Sequence, residues 1–341
     1  MYYFKFNMGE GGVIKMKKKS SVSYSNHRFF TRRSILRFLQ KAAGMFILAK
    51  AAKSDLLAGT EEKLKPRKKR KITTLHDLVA VKGDSPFHLT MRALQELGGI
   101  GRFVRKSDVV VVKPNIGWNR SPEFAANTNP EVVAAIVTAS LQVGAKTVKV
   151  FDNTCNNAKM CYHTSGIYDA VKKAGGEIQY VSDWKYIPGE FPPGSAMADW
   201  PINRDAVECD CFINVPVAKH HSLTDLTLSI KNLMGVCGGM RGLIHLNIEK
   251  KLVELAGFIS PDLTIIDAYR ILMKNGPSGG NRNDVVEKKT IIASADPVLA
   301  DSYAATLFNK DPGSIGYIRI GAEKKLGSMD LSSARIKKIK I

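Results

Sequence analysis

No apolar run in this 341-residue chain reaches the roughly 18 residues that a helix needs to cross a bilayer. A transmembrane span is therefore not expected. Cysteine is sparse, five residues in all, and no C-x-x-C pair occurs among them. That excludes a ferredoxin-type cluster motif within this chain and a zinc ribbon. No G-x-x-x-x-G-K-[ST] loop and no G-x-G-x-x-G opening a helix is present, so nucleotide sites of those two kinds are not expected. One disulfide, Cys155–Cys161, is conceivable in an oxidising compartment, and the odd count leaves at least one thiol free. Buried, inert thiols are the expectation for Cys209, Cys211 and Cys237.

Acidic residues are scarce at one end only. Met1 to Lys71 holds 19 Lys and Arg against 4 Asp and Glu, whereas the remaining 270 residues hold 32 against 27. The formal charge of +20 thus sits mainly outside the body. The run Lys63–Lys71 (KLKPRKKRK) has no interleaved aromatic residues on which bases could stack, so no nucleic-acid partner is expected. A charge run of this kind reads as solvated linker or targeting signal. Thr31-Arg32-Arg33-Ser34-Ile35-Leu36-Arg37 is similar to the bacterial twin-arginine export motif. It departs from that motif by having Ile35 where Phe is commonest and Arg37 where Lys is. A short apolar stretch, Ala42–Ala49, follows, and Ala49-Lys50-Ala51 fits a cleavage site. The chain therefore divides into a twin-arginine signal region (1–52), a basic linker (53–75) and an α/β domain (76–341). The partner implied is the twin-arginine translocation machinery, and the destination is the periplasm or another exported location.

Beyond the linker, strand and helix patterns alternate. Strands are expected at Asp77–Lys82, Asp108–Pro114, Thr147–Asp152, Glu177–Val181, Cys211–Val215, Leu263–Asp267 and Thr290–Ser294. The continuous β-branched run DVVVVKP marks a strand covered on both faces. Helices are expected at Pro86–Leu97, from Asn129-Pro130 to about Val143, and at Ser165–Ala174, Leu223–Met234, Ile248–Gly257 and Pro297–Phe308. This order predicts a single α/β domain, a mainly parallel, Rossmann-like sheet flanked by helices.

Polar residues recur where these strands end, which is where open α/β sheets build their sites. They are Lys113-Pro114-Asn115, Asp152-Asn153, Asn214–His221 (NVPVAKHH) and Asp267. With Thr227–Gly235 (TLSIKNLMG), Gly276–Gly280 (GPSGG) and Ala293–Asp301 (ASADPVLAD), these segments make the chain resemble the domain of unknown function 362 family across roughly residues 76 to 341. The resemblance implies an α/β fold and no settled reaction. Family members often carry a ferredoxin-like iron–sulfur module, and this chain lacks its cysteines.

The residues themselves suggest two constellations. Lys113, Lys219, Lys231 and Arg241, with Asn115 and Asn232, are candidates to bind a small anionic substrate, with Gly235–Gly242 (GVCGGMRG) offering backbone N–H groups to the anion. His221, Asp152 and Lys231 are candidate catalytic residues, His221 being the natural proton carrier near neutral pH. Asp152, His221, Asp267 and Asp301 are the candidate ligands of a divalent metal, with Asp296 reading as a helix cap. His245 is placed to reach the same cleft or to pack, and GPSGG reads as a lid or an anion nest. Three functions stay open: a protein acting on a small anion, a redox or iron–sulfur-associated accessory protein, and a non-catalytic periplasmic binding module.

Overall fold

The computed structural model describes residues 62–341. The twin-arginine signal region and the first part of the linker lie outside the described residues.

In chain order the body comprises β1 (Leu78–Lys82), α1 (Pro86–Glu96), β2 (Val109–Pro114), α2 (Pro130–Gln142), β3 (Thr147–Val150), α3 (Ala158–Thr164), α4 (Ile167–Lys173) and β4 (Glu177–Ile178). A small hairpin, β5 (Tyr186–Pro188) with β6 (Pro201–Asn203), is followed by α5 (Arg204–Glu208), β7 (Cys211–Val215), β8 (Val217–His221) and β9 (Asp225–Thr227). Then come α6 (Ser229–Asn232), α7 (Ile248–Ile259), β10 (Leu263–Leu272), β11 (Val285–Ser294), α8 (Pro297–Thr306), α9 (Gly316–Glu323) and β12 (Ile336–Lys340).

The main sheet runs β12-β1-β11-β10-β7-β2-β3-β4, with β8 paired to β10 and β9 paired to β8. The ladders from β10 through β7, β2 and β3 to β4 are parallel, as are β1–β12 and β8–β10. β11 is antiparallel to both its neighbours, and β9 is antiparallel to β8. The mainly parallel α/β expectation therefore holds.

Alternation along the strands divides the core in two. Val110 and Val112, with Cys211, Ile213, Leu263 and Ile265, face one layer and pack on Leu89, Ala93 and Leu94 of α1 and on Val132, Val133, Ile136 and Val137 of α2. Val111, Phe212, Ile266 and Ala268 face the other, against Leu252, Leu255 and Ile259 of α7 and Val298 and Leu299 of α8. Both faces of the strands are covered, which is why β2 is a β-branched run with no alternation of polarity. Each such side chain contributes about 1.5–3 kcal/mol of burial. The helices begin where their caps require: Ser85 accepts from His88 N–H, Asn129 from Glu131 N–H and Asp296 from Leu299 N–H, each with proline just inside the helix.

Two expectations are overturned. The helix expected at Leu223–Met234 is a strand, an extended Leu228 and the short helix α6, because Asp225–Thr227 pairs with Lys219–His221 in an antiparallel ladder. Finally, the basic run beginning at Lys63 is not a solvated linker. Leu64 is buried and its N–H donates to Pro188 C=O, Arg67 is buried in an ion pair with Asp262, and Arg70 forks onto both oxygens of Asp108. All five cysteines are free thiols, including Cys155 and Cys161.

Candidate functional site

Three parallel strands set the site. β2 ends at Lys113-Pro114, β3 runs out into Asp152, and β7 carries Asn214 level with Lys113. The edges of these strands open into a cavity of about 220 Å³, lined by Lys113, Asn115, Asp152, Lys219, His221, Thr227, Lys231, Asn232 and Arg241, among others. The eight residues proposed from sequence as catalytic or substrate-binding all border this one cavity. Asn153, Cys155, Trp118, Met234, His245 and Pro277 complete much of the wall. Of these, Cys155, Trp118 and Met234 carry no sequence signal for a site, since each reads as an ordinary core or loop residue.

The lysines are not equivalent. Lys113 is wholly buried, and its Nζ lies 2.7 Å from Asp152 Oδ1 while donating to Pro114 C=O at 2.9 Å and Asn232 Oδ1 at 3.1 Å. Burial pulls its ammonium down and Asp152 opposes that. Asp152 Oδ2 accepts the Ile116 N–H at 2.7 Å. Gly235 closes over this pair so tightly that a Cβ there would stand 1.7 Å from Asp152 Oδ1 and 2.6 Å from Lys113 Nζ. Lys219 Nζ donates to Ala126 C=O at 2.6 Å and Asn115 Oδ1 at 3.1 Å, and burial lowers its pKa to about 7. Lys231 has no oxygen partner among the described residues. The hydrogen-bond contact of its Nζ is Met234 Sδ at 3.3 Å, and burial lowers its pKa to about 8. Arg241 donates to the carbonyls of Asn153 (2.6 Å) and Thr154 (2.7 Å), so its charge has no carboxylate in those contacts.

A side-chain amide network holds the floor rigid. Asn232 Nδ2 donates to Asn214 Oδ1 and Lys113 C=O, and its Oδ1 accepts from Asn115 Nδ2 and Lys113 Nζ. Asn214 Nδ2 donates to Ser229 C=O. With every polar atom of Asn232 engaged inside the protein, its part is to position Lys113 and Asn115, and direct substrate contact is not its role.

His221 differs from the expectation. The Leu223 N–H donates to His221 Nδ1 at 3.1 Å, so the proton of the neutral ring sits on Nε2. Burial, reinforced by Lys231, His245 and Lys219, depresses its pKa to about 3. It is therefore neutral at physiological pH, with its one N–H on Nε2, and it lines the cavity as a neutral ring. His245 stacks beside it, with ring centroids 6.1 Å apart and planes 12° apart, and its Nδ1 sits 3.1 Å from Gly242 C=O.

The four-residue metal constellation is not assembled. Asp267 Oδ2 accepts the Asn129 N–H at 2.8 Å and its Oδ1 the Tyr269 N–H at 3.0 Å. Asp301 accepts the Ser229 and Ile230 N–H groups at 2.7 and 3.0 Å. Both aspartates cap backbone, away from the cavity, and burial raises them to about 6 and about 7. Asp152 is committed to Lys113, and His221 Nδ1 is taken by the Leu223 N–H. Among the described residues no group of three or more His, Cys, Asp and Glu stands in metal-binding proximity.

In the glycine-rich segment Gly235–Gly242 three N–H groups are spent inside the protein. The Gly238 N–H donates to Pro201 C=O, Cys237 N–H to Met234 C=O and Arg241 N–H to Gly239 C=O. Its glycine matters at Gly235, for the close approach to Asp152. Gly276–Gly280 packs its first residue on β8, where Gly276 N–H donates to His220 Nδ1 at 3.2 Å. Its letters fit G-x-S-x-G, but β10 ends at Leu272 and turns follow, so the strand–turn–helix that exposes a nucleophilic serine is not built.

The chain is 28% identical over 242 residues to the thylakoid-associated protein sll1697 of Synechocystis sp., covering 69% of this chain and 73% of that one. Among solved structures it is similar to the lactate racemase apoprotein of Thermoanaerobacterium thermosaccharolyticum, with a TM-score of 0.40 and 12% identity over 69% of this chain. It is also similar to a structural-genomics protein of Thermotoga maritima, with a TM-score of 0.38 and 11% identity over 67% of this chain. The chain spans 60% of the length of each of those two. The model of the domain of unknown function family DUF362 matches residues 110–306, more than half of the chain, and the protein belongs to that family.

Proposed function

We propose that the protein binds a small anionic molecule in the cavity at the ends of β2, β3 and β7. Four basic side chains and one carboxylate border it, and that carboxylate is already paired with Lys113. The observation that carries the reading is a pair of leftover groups. Among the described residues Lys231 Nζ lacks an oxygen partner and the buried Thr227 Oγ1 has no hydrogen-bond partner, although both residues are more than nine-tenths buried and line the same space. Buried polar atoms are nearly always satisfied, so an ammonium held only by a sulfur and an unpartnered hydroxyl, on two residues that line one cavity, call for an acceptor from outside the chain. The size limits the guest. A cavity of about 220 Å³ is below the roughly 300–1,000 Å³ that drug-sized ligands occupy, which fits a molecule no larger than a small organic acid or phosphate ester. In this reading Arg241, Lys219 and Lys231 meet the negative charge, Thr227 Oγ1 and His221 Nε2–H donate to it, and Lys113–Asp152 forms the fixed floor. We further propose, on the arginine pair Arg32-Arg33 and the apolar stretch after it, that the body works after export by the twin-arginine route.

A thermal-shift panel on the purified full chain tests the binding proposal, with phosphate, malonate and pyruvate set against glycerol and glucose. The anions should raise the midpoint and the neutral compounds should not, and Lys231→Met with Arg241→Met should abolish the response. An anion also favours the charged form of a nearby amine, so binding near pH 8 should take up protons, as read by calorimetry in buffers of different ionisation enthalpy. Equal responses to anions and neutral compounds would overturn the reading, as would an unchanged response in the double variant.

A further inference from the structure

We propose that the Lys231 amine is a nucleophile that forms an iminium with the carbonyl carbon of a small carbonyl acid, a 2-oxo acid being the simplest member of the class. The inference rests on the anion-binding reading of the same cavity and adds the reacting atom and the substrate class.

The case begins with how Lys231 is held. The backbone on either side of it is locked: Asp301 grips the Ser229 and Ile230 N–H groups, and Asn232 has every polar atom engaged by Asn214, Asn115 and Lys113. Only the side-chain tip is left over, in a wall of the cavity, against the soft sulfur of Met234. The other two lysines are committed, Lys113 to Asp152 and Lys219 to Ala126 C=O and Asn115. A fixed stem with an unengaged amine is the arrangement that nucleophilic lysines require, since an ammonium in a strong ion pair has no lone pair to offer. Burial without a carboxylate partner favours the neutral amine. Arg241, a permanent cation on the same cavity, is available for the carboxylate of the substrate, leaving the carbonyl for Lys231.

The chemistry balances without a cofactor. The Nζ lone pair forms the N–C bond as the carbonyl π pair moves to oxygen, and a proton passes from nitrogen to that oxygen, giving a carbinolamine. The hydroxyl takes a second proton from a cavity ammonium, Lys219 being the one whose pKa lies near 7, and leaves as water while the nitrogen lone pair closes the C=N bond. Amine, carbonyl and one proton thus become iminium and water.

The test is reductive trapping on the full chain, with pyruvate and 2-oxoglutarate as probes and sodium borohydride added, followed by intact mass and peptide mapping. One adduct per chain, located at Lys231 in the unaltered protein, is the expected result. Its yield at short times should be greatest at about pH 7.5, where Lys231 is partly neutral while Lys219 is partly protonated, and should fall on either side, whereas an ordinary lysine labels faster with every rise in pH through that range. Lys231→Arg should lose the adduct yet keep a thermal shift with phosphate, which shows that the variant is folded. Labelling spread over surface lysines, or none at Lys231 while pyruvate still stabilises the protein, would overturn the nucleophile and leave the anion site standing. No stabilisation and no adduct would remove both.

Discussion

Lys231→Met should make the ligand-free protein more stable. The native environment lowers the Lys231 pKa from 10.5 to about 8, mainly by burial, with no carboxylate to offset it. At 1.36 kcal/mol per unit, holding this ammonium in the fold costs about 3 kcal/mol at pH 7. Methionine keeps the aliphatic stem, fills a similar volume and removes the charge, so most of that cost is recovered. At about 2–4 °C per kcal/mol for a domain of this size, the midpoint should rise by roughly 6–12 °C. The pH dependence has a definite sign. The folded-state pKa lies below the unfolded one, so between about 8 and 10.5 the unfolded chain holds a proton that the native protein has released. Native stability of the unaltered protein rises with pH across that window, and its deficit against the variant should be full at pH 7 and nearly closed by pH 10.5. Urea titrations of both proteins at pH 7, 8.5 and 10 measure this directly. A variant less stable than the parent at pH 7, or a gap that does not change with pH, would refute the claim that Lys231 is an uncompensated buried cation. The same variant should have lost the anion response, so stability and binding move in opposite directions at one residue.

Two further outcomes follow from the framework around the cavity. Gly235→Ala should destabilise by about 3–5 kcal/mol, measured by urea unfolding, because a Cβ 1.7 Å from Asp152 Oδ1 forces apart a buried ion pair that has nowhere to move. An alanine variant as stable as the parent would show that Asp152 can retreat. Asp301→Ala should cost about 1–3 kcal/mol for each of the two backbone N–H groups it strands, and Asp301→Asn should fall between it and the parent. Because burial raises the Asp301 carboxyl from 3.8 to about 7, the stability gap between parent and Asp301→Ala should be widest below about pH 4 and narrow as the pH climbs to 7. A gap independent of pH would contradict that.

Much of the scaffold is legible in the sequence because its signals are local. The β-branched run Val109–Val112 can only be a doubly covered strand, and the Asn129-Pro130 and Asp296-Pro297 pairs announce helix starts by cap chemistry. Strand-end placement also brings Lys113, Asp152 and Lys219 to one opening, since parallel strands share a carboxyl edge. What the sequence misreads depends on distant partners. Asp267 and Asp301 look the same in sequence whether they face a cavity or cap a backbone, and only the packing of Asn129, Ser229 and Ile230 against them decides. His221 reads as a proton carrier until the Leu223 N–H takes its Nδ1. Asp225–Thr227 has helix-compatible composition, and its strand exists because β8 lies beside it. The terminal strand Ile336–Lys340 passes unnoticed because, as an edge strand, it keeps lysines in place of apolar alternation.

The segment from Leu64 to Arg70 has a practical consequence. It is the piece that neutralises two acidic groups belonging to the body, the fully buried Asp262 and the nearly buried Asp108. A protease or a cloning primer that respects the apparent edge of the α/β pattern near residue 76 would discard Leu64, Arg67 and Arg70 together. The core beneath would then be open to water, with stranded carboxylates. Trimming that stops upstream of Glu62 leaves this clasp whole, which sets the inner limit for any maturation cut the folded protein can survive.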